Sequence, residues 1–205
     1  RYNSALQGIE RLKEVVDTLI VIPNEKLRAI APNLPLPISF KIADDVLTSA
    51  VKGITELITK PGLINVDFAD VRMIMSNGGV ALIGSAESDA KDKKLETVVD
   101  KILNNPLVDV DVSTAKGMLV DVSGGPSLTL EEANTVVELL ERHLPEDARI
   151  IWGAHIFPDL KSTVRVMAII TGVSSKQITG KSIGEEKELK EKEQVEEELG
   201  IKFLG

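Results

Sequence analysis

The segment "LPISFKIADDVLTSAVKGITELIT", residues 36–59, constrains this chain more than any other. Leu36, Phe40, Ala43, Leu47, Ala50, Ile54 and Leu57 recur in alternating four- and three-residue steps, the spacing of one face of a helix. Ile38, Ile42, Val46, Val51 and Ile58 cover much of the remaining circumference. A helix apolar on several sides belongs between layers. The pattern therefore predicts a long helix over 36–59, buried as a spine between two domains.

The residues before the spine support that division. Residues 1–16 read as an amphipathic helix, with Leu6, Ile9, Leu12 and Val16 at helical spacing. "TLIVIPN" is a short β-branched run stopped by Pro23; apolar on both faces, it predicts a buried parallel strand. "NEKLRAI" allows one or two helical turns with Asn24 as N-cap.

After the spine comes "KPGLINVDFADVRMIM", residues 60–75, a Pro-Gly loop that turns into an amphipathic helix. Asn65, Asp67 and Asp70 sit where the two meet. Their spacing supports two readings. Asp67 as N-cap and Asp70 as its N3 partner make a helix start, favoured by the helix dipole. The same carboxylates, exposed on one face of a first turn, can act as a general base, bind a divalent cation or orient a water toward phosphorus. A carboxylate pair next to a phosphate needs positive charge between them, so on the second reading the loop offers half of a phosphotransfer site, while spacing alone favours the cap.

The rest alternates strand and helix. "GGVALIGSAE" reads as a strand. Residues 89–104 read as a charged helix burying Leu95, Val98, Val99, Ile102 and Leu103. "KGMLVDVSGG" is a strand, and "TLEEANTVVELLERHL" is a helix opened by the capping box Thr129 and Glu132. "ARIIWGAHI" and "TVRVMAIITGV" are strands. In the last, Val164, Val166, Ala168 and Ile170 alternate with Arg165, Met167, Ile169 and Thr171. The expectation is a two-layer α+β domain, a mixed sheet with helices on one side. Beyond Ser174 the pattern gives way to a Glu/Lys block that cannot dock firmly, ending in the apolar "LGIKFLG".

Composition excludes several functions. The net charge of −8 argues against a general nucleic-acid binder. No apolar run reaches the roughly 18 residues of a membrane span, so no direct membrane insertion is expected. The absence of cysteine fits a reducing compartment. "SNGGV" and "SGGPS" match no phosphate-binding fingerprint and read as turns. His143 and His155 lack the clustering of a metal site, and none is expected; His143 suits the end of its helix. Asp109 and Asp111 lack the Gly and Glu of a calcium loop. Phe40 and Asp44, i and i+4 near the start of the spine, could stack on a purine and accept its N–H groups. By spacing alone they are a core aromatic and a surface acid.

In succession, "VDTLIVIPNEKL", "FKIADDVLTSAVKGITELIT" and "PGLINVDFADVRMIM" closely resemble the FtsZ family, the tubulin-like GTPases of prokaryotic cell division. The resemblance continues through "GGVALIGSAES", "NNPLVDVDVSTAKGMLVDVSGGPSLTLEEAN", "IIWGAHI" and "TVRVMAIITGV" and covers about residues 1–173. The tail is more like that of archaeal members.

The resemblance implies a division into residues 1–35, the end of a GTP-binding domain; 36–59, the central helix; 60–173, a C-terminal activating domain; and 174–205, a charged tail. It implies that Asn65, Asp67 and Asp70 enter the GTP site of the next subunit in a head-to-tail filament, the carboxylates polarising the attacking water. It implies that Phe40 stacks on guanine, that Asn24 and Asp44 read its edge, and that Arg1 lies near the ribose and phosphates. GTP or GDP with Mg2+ is the expected ligand. The tail is expected to bind membrane-tethering or division proteins, and the protein to act in the cytoplasm at a midcell division ring. The family's Gly-rich phosphate loop does not occur in these 205 residues, so the chain alone is expected not to hydrolyse GTP. The competing reading is a noncatalytic α/β module that docks partners through a sheet edge and the apolar tail.

Overall fold

The computed structural model describes residues 2–21, 36–90, 93–104 and 112–173. Five helices, α1 (Tyr2–Lys13), α2 (Leu36–Thr59), α3 (Phe68–Met75), α4 (Lys94–Leu103) and α5 (Leu130–Glu141), accompany five strands among these residues. The strands are β1 (Thr18–Ile20), β2 (Gly79–Ser88), β3 (Gly117–Gly124), β4 (Arg149–Ile156) and β5 (Val164–Thr171). They form one sheet in the order β1-β2-β5-β3-β4. β1 runs parallel to β2 and β3 parallel to β4, while β5 is antiparallel to both of its neighbours. The sheet is therefore mixed, as the sequence predicts.

The helices pack on both faces of this sheet, not on one. Val80, Leu82, Met118, Val120, Val166 and Ala168 point to the face covered by α4 and α5. Ala81, Ile83, Leu119, Met167 and Ile169 point to the face covered by α2 and α3. β3 and β5 lie at the centre, so both of their faces are dry, and every residue of β3 is buried. Alternation in β5 selects a helix layer rather than water.

The spine helix forms with the predicted bounds, but it is not buried all round. Ala50, Ile54, Leu57 and Ile58 make a stripe against the sheet. Ile38, Leu47 and Val51 are open to solvent, Val51 at 66%. The described part of the chain covers one side of this helix only. β1 also departs from expectation: it is a half-buried edge strand, not a buried one, because β2 is its sole neighbour among the described residues. α1 stops at Lys13, short of the predicted residue 16, and both Leu12 within it and Val16 beyond it are exposed.

The turns read from the sequence form as turns. Asn77 at φ 56° and Gly79 at φ 64° reverse the chain between α3 and β2. Both capping boxes form as well; Thr129 Oγ1 accepts from the Glu132 amide at 3.1 Å while a Glu132 carboxylate oxygen accepts from the Thr129 amide at 2.9 Å.

Leu57 tests the layer arrangement. It is 1% exposed beneath the sheet. Leu57→Ala is expected to cost about 2–5 kcal/mol in chemical denaturation of the 205-residue chain, whereas Leu47→Ala on the open side stays within about 0.5 kcal/mol.

Candidate functional site

The Lys60–Asp70 loop is fastened to the end of β4. The amides of Leu63 and Ile64 both donate to the Ala154 carbonyl, at 2.7 and 3.3 Å, and the Ala154 amide donates to the Ile64 carbonyl at 3.1 Å. Gly62 is required at this contact. A Cβ there would collide with the Ala154 carbonyl oxygen and lie 2.9 Å from Cδ2 of His155. Val66 is buried next to the spine's last turns and plugs the loop into the core.

On this base the three polar residues face outward. Asn65 closes the loop on itself, its Oδ1 accepting from the Gly62 amide at 2.8 Å. Asp67 and Asp70 cap α3 reciprocally: Asp67 Oδ1 accepts from the Asp70 amide at 2.9 Å, and Asp70 Oδ2 accepts from the Asp67 amide at 3.2 Å. Asn65 and Asp67 are exposed and Asp70 is half-buried. Each carboxylate uses one oxygen in the cap. The other oxygen meets no donor among the described residues and remains available to a water or a cation. The two readings of this spacing are thus compatible, because the cap that starts the helix also fixes the carboxylates.

The other predicted residues are not brought to this loop. Asp44 lies exposed on α2, about 24 Å from the start of the loop along the helix axis at 1.5 Å per residue. Phe40 lies one turn farther away by its backbone, and its side chain lies outside the described residues, as do Arg1 and Asn24. The 174–205 tail and the Asp109–Asp111 segment lie outside them too. No group of three or more His, Cys, Asp or Glu that could hold a metal ion occurs among the described residues. No described helix is long and apolar enough to cross a membrane. His143 caps the end of α5 as expected, its Nδ1 lying 3.0 Å from the Leu139 carbonyl.

One cluster was not anticipated. Asp121 in β3 and His155 in β4 are buried on the face toward α2, and His155 Nδ1 lies 2.7 Å from Asp121 Oδ1. The second Asp121 oxygen accepts from Ser123 Oγ at 2.7 Å. His155 Nε2 lies 3.2 Å from the carbonyl oxygen of Lys60, at the root of the loop. The signal was in the sequence: "GMLVDVSGG" carries a charge inside a buried strand, and such a charge must be answered by a partner.

Residues 79–174 match the model of the FtsZ family, C-terminal domain. The chain belongs to the FtsZ family. It is 56% identical over 181 residues to Cell division protein FtsZ 1 of Archaeoglobus fulgidus, covering 88% of this chain and 49% of that protein. It is 48% identical over 198 residues to Cell division protein FtsZ of Methanothermobacter thermautotrophicus, covering 97% of this chain and 52% of that one. It thus spans about half the length of the curated relatives it matches. Among solved structures, an empty FtsZ dimer from M. jannaschii superposes with a TM-score of 0.77 at 55% identity, over 83% of this chain and 50% of the other. A GDP-form TubZ protofilament from Bacillus thuringiensis serovar israelensis superposes with a TM-score of 0.70 at 17% identity, over 98% of this chain and 57% of the other, and shares the fold alone. The tubulin/FtsZ-like fold expected for this chain is therefore the fold it has.

The cap can be separated from any chemistry at Asp67. Asp67→Ala removes a side-chain cap and is expected to cost about 0.5–2 kcal/mol in denaturation of the 205-residue chain. Asp67→Ser keeps an acceptor at the N-cap and is expected to stay within a few tenths of wild type.

Proposed function

We propose that this chain is the activating half of a filament-forming cell-division GTPase, and that its Lys60–Asp70 loop completes the GTP site of a neighbouring subunit. The observation that carries this is the rigid presentation of Asp67 and Asp70. Their mutual cap holds both carboxylates outward on a loop bonded to the sheet, each with an uncommitted oxygen.

Distance supports a division of labour between subunits. The guanine-side residues Phe40 and Asp44 occupy the first turns of α2, and the loop follows its other end. A straight helix cannot bring both sets to one nucleotide in the same chain. A head-to-tail arrangement brings the loop of one subunit to the nucleotide of the next. On this proposal residues 1–35, with Arg1 and Asn24, belong to the nucleotide-binding domain. Residues 36–59 are the spine, 60–173 the activating domain, and 174–205 a tail for division partners. The protein works in the cytoplasm, at the division site.

The chemistry is hydrolysis of the γ-phosphoryl group, where positioning and electrostatics supply most of the rate. Asp67 and Asp70 orient and polarise the attacking water, and Asn65 offers an amide to the water or the phosphates. Mg2+ takes oxygen ligands and keeps several waters. Two carboxylates fit an ion that arrives with the phosphates, and the positive charge it brings keeps the acids and the phosphates compatible.

Asp67→Asn in the intact protein provides the test, because asparagine caps a helix as well as aspartate does but carries no charge. The expected outcome is unchanged stability and GTP binding with hydrolysis lowered by about a hundred- to ten-thousand-fold, the range for loss of a positioned base. Hydrolysis at the wild-type rate would leave the residue a cap and nothing more. The 205-residue chain by itself is expected to turn over no GTP in a phosphate-release assay.

A further inference from the structure

We propose that His155, held as an imidazolium, is a proton-dependent latch that fastens the root of the Lys60–Asp70 loop to the sheet, making it a positioning residue for Asn65, Asp67 and Asp70. The inference deepens the function proposed above, and it rests on that function only for its effect on hydrolysis.

The donor and acceptor count requires the cation. His155 is 1% exposed and faces two groups that can only accept: the Asp121 carboxylate and the Lys60 carbonyl. A neutral imidazole has one N–H and one lone pair. It can satisfy one of these partners while turning a lone pair toward the other. The imidazolium has two N–H groups and satisfies both. Asp121 is committed on its other side to the Ser123 hydroxyl, so its charge is held in place.

The surroundings favour the same charge state. Lys60 directly follows the last residue of α2, and its amide still bonds to the Glu56 carbonyl at 2.9 Å. Its own carbonyl is one of the unpaired groups at a helix C-terminus, where the dipole attracts a cation. Glu56 of α2 adds a negative charge nearby. Gly62 lies against the ring, and Phe157 follows in the chain with its centroid 6.2 Å away. Lys52 of α2 lines the polar cleft over Asp121 and Ser123, together with Arg165 of β5 and Glu87 of β2, which pair with each other.

The hydrogen bond to Asp121 raises the His155 pKa above its ordinary 6.5, and burial opposes this. The Asp121 charge, the Lys60 carbonyl and Glu56 add to the rise, and the net direction is upward. A raised folded-state pKa contributes stability that is complete below 6.5 and lost as pH climbs through the raised value. The proton that leaves is the one on Nε2, taken by water or hydroxide. Nδ1 keeps its proton against the Asp121 carboxylate. Two lone pairs then face each other between the ring and Lys60, and the loop loses its fastening at the root. The Leu63 and Ile64 bonds to Ala154 come next along the chain.

The test is a 15N NMR titration of the histidines in the 205-residue chain, with hydrogen exchange of the Leu63 and Ile64 amides corrected for intrinsic rates, from about pH 5.5 to about pH 9. Both ring nitrogens of His155 should be protonated at its ordinary pKa, and Nε2 should lose its proton above it. Protection of Leu63 and Ile64 should fall on the order of tenfold with the same midpoint, the size expected for losing a charge-assisted hydrogen bond. Asp121→Asn should move that midpoint down, and His155→Gln should remove the pH dependence of protection. A single N–H on His155 at its ordinary pKa, or protection that stays flat through its titration, overturns the latch; both are read in the unaltered chain and need no variant to fold. In the intact protein, GTP hydrolysis should decline with the same midpoint. If the NMR result holds while Asp67→Asn leaves hydrolysis intact, the latch stands and the catalytic role of the loop falls.

Discussion

The attachment of one loop to one strand end organises this structure. Leu63, Ile64 and Ala154 exchange three backbone hydrogen bonds, and Gly62 is the residue that lets the chains approach. That contact ties the chain between α2 and α3 to the sheet. Everything proposed for Asp67 and Asp70 depends on it, since a helix cap holds carboxylates still only if its helix is held still. The buried Asp121–His155 pair adds a second fastening to the same loop, anchored in the two parallel strands β3 and β4.

Elements with a strong local signature were legible in the sequence. The spine helix matched its predicted bounds because a sustained four-and-three apolar rhythm has no strand equivalent. Both capping boxes were readable because they are local, an acceptor followed three residues later by an acid. The strand β5 was readable too, but its environment was not. Val164, Val166, Ala168 and Ile170 alternate with residues almost as apolar, and alternation of that kind cannot say whether the second face meets water or another layer. That is why a layer of helices was missed.

The same limit explains the site. Asn65, Asp67 and Asp70 lie within a few residues of one another, so sequence placed them together. The role proposed for them rests on family resemblance and not on spacing, which fits a bare cap equally well. Asp121 and His155 lie 34 positions apart, and the Lys60 carbonyl lies 95 from His155. No local pattern joins them. Only the parallel register of β3 and β4, which pairs Asp121 with Gly153 and Ser123 with His155 on one face, brings them together.

On the function proposed for it, this loop serves a nucleotide held by another molecule. Adding the 205-residue chain to intact protein carrying Asp67→Asn tests it most directly, because one partner then holds GTP without a working loop and the other offers the loop. Phosphate release should reappear in the mixture and be absent when the added chain also carries Asp67→Asn. Hydrolysis that stays absent at every ratio, although the two bind, would contradict the claim.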